Sequence, residues 1–183
     1  MSADAPIASG PTAPPADDKD WTWVLDRPCP DCGFDASAVA VEHLGERVRA
    51  NAAAWAPVLA RPDAAVRPAP TVWSAVEYAA HVRDVHEIFA DRLRLMRDEH
   101  DPAFANWDQD ATALERRYDL AHAADVATEL GASAERVAAI YDDLDPREHG
   151  RTGRRSNGSV FTVASLGRYH LHDVVHHLHD VAG

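Results

Sequence analysis

Four long stretches of this chain repeat apolar residues every three to four positions, the period of an amphipathic helix. No segment alternates apolar and polar residues in the way a half-buried strand requires. That pairing of signals restricts the fold more than anything else in the sequence. The first stretch covers residues 36–60 and aligns Val39, Leu44, Val48, Ala52, Trp55 and Leu59, ending before Pro62. The second covers 73–99, with Tyr78, Val82, Val85, Phe89, Leu93 and Met96 on one stripe. Ser74 followed three residues later by Glu77 offers it a capping box. The third covers 120–143, with Val126, Leu130, Val137, Ile140 and Tyr141 in phase and Leu144 just beyond. The fourth covers 162–182, with Thr162 as its cap. Helices of about six turns, each with one apolar stripe, bury those stripes against one another, so the expected fold is all-α, a four-helix bundle.

The connections are uneven. RPDAAVRPAP links the first two helices. A longer polar stretch with Trp107 and a short helix near 108–117 links the second and third. DPREHGRTGRRSNG, residues 145–158, reads as a Gly/Arg-rich loop before the fourth. Its cluster Arg151, Arg154, Arg155 reads as an ordinary solvated loop, although it could also face an anionic substrate group. Residues 1–20 are rich in Pro, Ala, Ser and Asp with almost no large apolar side chain, the composition of a disordered tail. Residues 21–35, WTWVLDRPCPDCGFD, carry Trp21, Trp23, Val24, Leu25 and Phe34, enough apolar surface to dock a non-helical segment on the bundle. The bundle domain is then 36–183.

The net charge is −12, and nearly all the basic residues are arginines. An acidic chain is repelled by phosphate backbones, which argues against a nucleic-acid partner. No apolar run approaches the ~20 residues that span a bilayer, and the N-terminus lacks the pattern of a signal peptide. The expectation is a soluble cytoplasmic protein, monomer or homodimer, acting on a small molecule.

LHDVVHHLHDV, residues 171–181, holds four histidines and two aspartates on the last helix. Its apolar face is Leu171, Val174, Val175, Leu178 and Val181. Two pairs four residues apart flank that face, His172 with His176 and Asp173 with His177, and each pair stands one side chain above the other. Val163 and Leu166 tilt the apolar face toward the Asp173/His177 edge. On the second helix, His81 interrupts an apolar stripe. A lone histidine there is an ordinary core residue with a satisfied ring. A ligand from a neighbouring helix added to an i, i+4 pair makes a three-ligand metal site with an open position.

TVWSAVEYAAHVRDV, residues 71–85, resembles the second helix of the DinB/YfiT-like superfamily, which includes the mycothiol-dependent maleylpyruvate isomerases. There a Trp-Ser-x-x-Glu stretch leads to a ligand histidine, matching His81. The fourth helix of that family carries His-x-x-x-His, or Glu-x-x-x-His in the isomerase branch, with a polar residue three positions after the last histidine. In that register the implied ligands are Asp173 and His177, followed by Asp180. Aspartate stands where histidine or glutamate is usual, so the His172/His176 register stays open. The resemblance implies a four-helix bundle with a long crossover between helices two and three. It also implies a divalent metal, zinc or nickel, and thiol-dependent transfers or isomerisations with mycothiol or bacillithiol as co-substrate. His176 and Asp180 are then candidates for holding the ligands in place or accepting a proton.

Cys29-Pro-Asp-Cys32-Gly lies outside the core of that family. It reads three ways: half of a zinc site completed by histidines elsewhere, a redox or disulfide pair, or two thiols packed in a turn. The functional expectation is therefore a metal-dependent enzyme, of the thiol S-transferase or isomerase type. The alternative is a non-catalytic, metal- or redox-responsive binding module.

Overall fold

The computed structural model describes residues 20–182, with Ala182 described by its backbone only, so the expectation for the N-terminal tail lies outside the described residues but for Asp20. The segment after Asp20 forms a 3-10 turn at Thr22–Leu25 and then the Cys-containing turn. The first helix begins later than its stripe predicts. Asp35 accepts from the Ser37 N–H and caps a 3-10 turn at Ala36–Ala38, after which Val39 and Ala40 are extended. A second 3-10 turn at Val41–His43 leads into α1, Leu44–Leu59. The β-branched Val39 and Val41 are buried from this irregular stretch, so an apolar signal in phase with a helix comes from chain that is not one.

α2 is Ala75–Asp98, and its start is set by chemistry that the sequence shows. The Ser74 side chain accepts from the Glu77 N–H while the Glu77 carboxylate accepts from the Ser74 N–H. Arg67 clamps the same carboxylate through its guanidinium. Next come β1 (Ala103–Phe104), α3 (Gln109–Glu115), a 3-10 turn at Tyr118–Leu120, and α4 (Ala123–Asp142). The chain then forms β2 (Thr152–Arg155), β3 (Val160–Thr162) and α5 (Val163–Ala182). Thr162 and Ser165 cap α5 reciprocally, each hydroxyl accepting from the other's backbone N–H at 3.0 and 2.9 Å.

Helices α1, α2, α4 and α5 make the bundle. Cross-links give their directions. Gly45 lies against Ala138 and Asp142, Arg83 pairs with Glu129, and Arg97 with Asp143. Asn51 donates to the Val174 carbonyl and Arg61 to the Val181 carbonyl. So α1 and α5 run one way, and α2 and α4 the other. Because α2 and α4 are parallel neighbours, the chain between them must return along the bundle, which is the long crossover, 99–122. Tyr118 fastens it by donating to Asp84 Oδ2 at 2.5 Å, and Arg116 adds a bond to Asp84 Oδ1 at 2.7 Å.

Within the expected loop at 145–158, Pro146–Glu148 forms a 3-10 turn and Thr152–Arg155 is the middle strand of a three-stranded sheet, β1-β2-β3, parallel between the first two strands and antiparallel between the last two. Strands of two to four residues are too short to print an alternation. Gly153 allows the hairpin to sit close, since a Cβ there would be 2.7 Å from Met96 Cγ and 2.9 Å from Phe104 Cε1. The core between the helices holds Leu44, Trp55, Leu93, Met96, Leu130, Leu166 and Leu171, all buried.

Candidate metal centre

His81 stands one helical turn beyond Glu77, so the cap that starts α2 also fixes its height and direction. Its ring is 1% exposed and neither ring nitrogen has a hydrogen-bond partner. Trp107 from the crossover stacks on it at 5.2 Å with planes 4° apart, and Trp73 covers it at 5.4 Å. α5 runs antiparallel to α2 here and presents Asp173 and His177. Asp173 Oδ1 lies 3.9 Å from His81 Nε2 and 3.4 Å from His177 Nε2. One nitrogen or oxygen atom from each of the three residues, able to ligate a metal, lies within 4.8 Å of the others. Ligands held at zinc–nitrogen and zinc–oxygen distances around a tetrahedral ion stand about 3.3 Å apart, so the cluster is already near that spacing.

On its other side His177 Nδ1 is 3.1 Å from Asp180 Oδ2. An Nδ1–H donating there leaves the Nε2 lone pair facing Asp173. Burial drives the His81 pKa well below the usual histidine value, and the His177 charge adds to this, so the ring is neutral, as a ligand must be. Burial raises the Asp173 carboxyl against the opposing pull of His177, His176, Arg92 and Arg155. Although the Asp173 side chain is a quarter exposed, Oδ1 itself is buried with no hydrogen bond. Orphaned buried atoms on His81 and Asp173, converging on one point, fit a bound cation: each needs a partner that the described residues do not supply.

Two arginines sit near this cluster. Arg92 lies over Phe89 and Phe104, and Arg155 over Phe161 and Tyr169. Burial, with help from the neighbouring Arg155, lowers Arg92 to about 10. Arg155 Nε is buried without a partner. The sequence-predicted arginine cluster is therefore split and is not simply a solvated loop. Arg151 donates to the Met96 and Glu99 carbonyls and Arg154 pairs with Asp101, so both are structural, while Arg155 turns inward.

The rival pair on α5 does not face His81. His172 and His176 meet Cys29 and Cys32, and one ligand atom from each of these four residues lies within 4.8 Å of the others. Cys29 Sγ is 3.6 Å from His176 Nδ1, and both cysteines are free thiols, not a disulfide. Burial pushes the Cys32 thiol up to about 11 and, with the neighbouring histidines, His172 down to about 4. Trp21 lies against both histidine rings at 5.8 and 5.2 Å, and Phe34 edges onto His172 at 5.6 Å. His176, a candidate for supporting the His81 cluster, turns its Nδ1 to this second group, while its Nε2 lies 3.8 Å from Asp180 Oδ1.

Sequence reasoning missed several groups. Arg92 and the covering role of Trp73 and Trp107 depend on tertiary contacts with no local signal. A buried chain, Tyr141 OH to His170 Nδ1 at 2.8 Å and His170 Nε2 to His86 Nδ1 at 2.9 Å, also crosses the core. His86 is four residues after Val82 and three before Phe89 in the α2 stripe, a spacing that could have marked it as buried, but only the fold pairs it with His170.

The family model of the DinB superfamily matches residues 44–181. No curated protein matches. Among solved structures, the chain resembles one described as "YfiT from Bacillus subtilis is a probable metal-dependent hydrolase with an unusual four-helix bundle topology", with a TM-score of 0.66 and 19% identity, covering 78% of this chain and 82% of that one.

Proposed function

The chain belongs to the DinB superfamily, and on that premise we propose that it is a divalent-metal-dependent enzyme whose ion is held by His81, Asp173 and His177. One observation carries the reading: His81 Nε2, Asp173 Oδ1 and His177 Nε2 converge, and the first two have no hydrogen-bond partner. Three N/O ligands leave a coordination position free, the arrangement of a catalytic ion. Bound there, zinc or nickel with two neutral imidazoles and one carboxylate keeps a net positive charge and favours the deprotonated form of a water or thiol.

The residues of the chain supply the rest. Asp180 holds the Nδ1 proton of His177 and so fixes its tautomer. Trp73 and Trp107 shield the faces of the His81 ring from water. Arg155, with an unpaired Nε, and Arg92 offer an anionic group of the substrate a charge-assisted partner beside the metal. An open metal position with guanidiniums beside it suits transfer or isomerisation in which a thiol attacks a carboxylate-bearing small molecule. Mycothiol or a related thiol is the co-substrate that the resemblance implies, and YfiT supports metal-dependent hydrolysis as the neighbouring chemistry. The paired thiols beside His172 and His176 favour the second reading, a non-catalytic metal- or redox-responsive module.

The experiment is elemental analysis of the purified protein followed by a panel of low-molecular-weight thiols with carboxylate-bearing electrophiles. The proposal expects thiol consumption that disappears with chelation and in His177→Ala. Metal-dependent hydrolysis without thiol would move the reaction to the hydrolase class. A loaded protein that turns over nothing, with or without thiol, would favour the binding module.

A further inference from the structure

We propose that Cys29, Cys32, His172 and His176 form a second, structural zinc site that clips the N-terminal segment onto α5. This does not rest on the catalytic reading of the His81 cluster, with which it shares no ligand.

The sequence places the two cysteines three positions apart, with Pro30 and Asp31 between them, in a turn that ends in glycine. The Cys29 N–H donates to the Phe34 carbonyl at 2.8 Å, and the Gly33 N–H donates to the Cys29 carbonyl at 2.9 Å. Gly33 has φ +72, a left-handed conformation that a side chain would strain. This closes the chain tightly and brings both thiols to one side. α5 delivers the other two ligands from residues four apart, stacked one turn above the other.

The spacing and the chemistry agree. A tetrahedral zinc with bonds of ~2.3 Å to sulfur and ~2.05 Å to nitrogen separates a sulfur and a nitrogen ligand by about 3.6 Å. Cys29 Sγ and His176 Nδ1 are 3.6 Å apart. His172 Nε2 is buried and lacks a hydrogen-bond partner. Two thiolates and two neutral imidazoles balance the charge of a divalent zinc, so the assembled unit is neutral and can be buried without a counter-ion. Four protein ligands close the coordination sphere, which marks a structural site where the His81 cluster is open. The outer nitrogen of His176, Nε2, lies 3.8 Å from Asp180 Oδ1, while the other oxygen of the same carboxylate holds His177. A single aspartate therefore stands behind one histidine of each cluster.

The consequence is mechanical. His172/His176 and Asp173/His177 are offset by one residue, about 100° around the helix axis. Clipping the first pair to the Cys turn fixes the rotation of α5 that aims the second pair at His81.

Cobalt(II) replacement tests the site. Chelator-stripped, reduced protein is titrated with cobalt, and the near-ultraviolet sulfur-to-cobalt charge-transfer band is followed. The expected result is a band that is complete by two equivalents per chain, one for each cluster, and is absent in Cys29→Ser/Cys32→Ser, while that variant still binds one cobalt at the His81 cluster. Titrating zinc-loaded native protein with an organomercurial needs no variant and should release one zinc as two thiols react. Cobalt binding without the charge-transfer band, or mercurial reaction of both thiols with no zinc released, overturns the proposal. Loss of the charge-transfer site with the His81 cluster still loading, or the reverse, separates the two readings.

Discussion

Replacing His81 with leucine should uncouple the stability of the metal-free protein from that of the loaded one. In the metal-free protein each ring nitrogen of His81 is buried without a partner. A stranded polar group costs about 1–3 kcal/mol, so the two nitrogens together cost about 2–6 kcal/mol. Leucine removes that cost and keeps the apolar bulk. It loses the ring contacts with Trp73 and Trp107, worth about 0.5–1.5 kcal/mol each. The metal-free variant should then melt at a temperature equal to or above that of wild type. Loading is the opposite case. Zinc at a thousand times its dissociation constant stabilises the native state by about 4 kcal/mol, which for a chain of this size raises Tm by about 8–16 °C. His81→Leu should forfeit that increment, and any rise from the Cys/His cluster is common to both proteins and cancels. The assay is differential scanning calorimetry of both proteins, stripped and zinc-loaded. An equal zinc-induced rise in both, or a stripped variant that melts many degrees below wild type, would refute the assignment of His81 as a ligand.

Acid should destabilise the fold through the core pair as well. Burial holds His86 down at about 3 and His170 well below the ordinary histidine value, whereas both titrate near 6.5 when unfolded. The unfolded chain therefore binds more protons below about pH 6.5, so this stability is complete above that pH and is lost as pH falls, at about 1.4 kcal/mol per unit for each histidine. This pair alone should take about 4 kcal/mol from the stability read by urea unfolding between pH 7 and pH 5, and His86→Phe should reduce the slope; a flat profile would contradict the buried neutral pair. Asp180→Asn should lower zinc affinity at the His81 cluster about 10–100-fold in a competition titration with a chromophoric chelator, since it removes the carboxylate behind His177. An unchanged affinity would show that the 3.1 Å contact does not orient the ring. Trp21→Ala should speed the reaction of Cys29 and Cys32 with a thiol reagent in metal-free protein, because the indole covers both neighbouring histidines. An unchanged rate would mean that the segment opens on its own.

What could be read in the sequence was what repeats locally. The stripes of α2, α4 and α5 gave helices within a few residues of those observed, and Ser74 with Glu77 marked the start of α2 because a capping box is a contact within four residues. The first stripe overran, since buried Val39 and Val41 are in phase with a helix whatever their backbone does. The sheet was invisible because its pairing joins residue 103 to residue 154 across two connections. At the candidate site, His81, Asp173 and His177 could be proposed from spacing and resemblance, but which edge of α5 faces α2 is a question of helix rotation, which depends on the whole core. The partners of His172 and His176 were not legible either: nothing local links residue 29 to residue 176.

The central claim is that Asp173 and His177, and not His172 and His176, complete the site at His81. Metal counting by elemental analysis in a Cys29→Ser/Cys32→Ser background isolates that cluster. One divalent ion per chain should remain in this background and in its His172→Ala derivative, and none in the His81→Ala, Asp173→Ala or His177→Ala derivatives. An ion lost with His172 and kept with His177 would contradict the account.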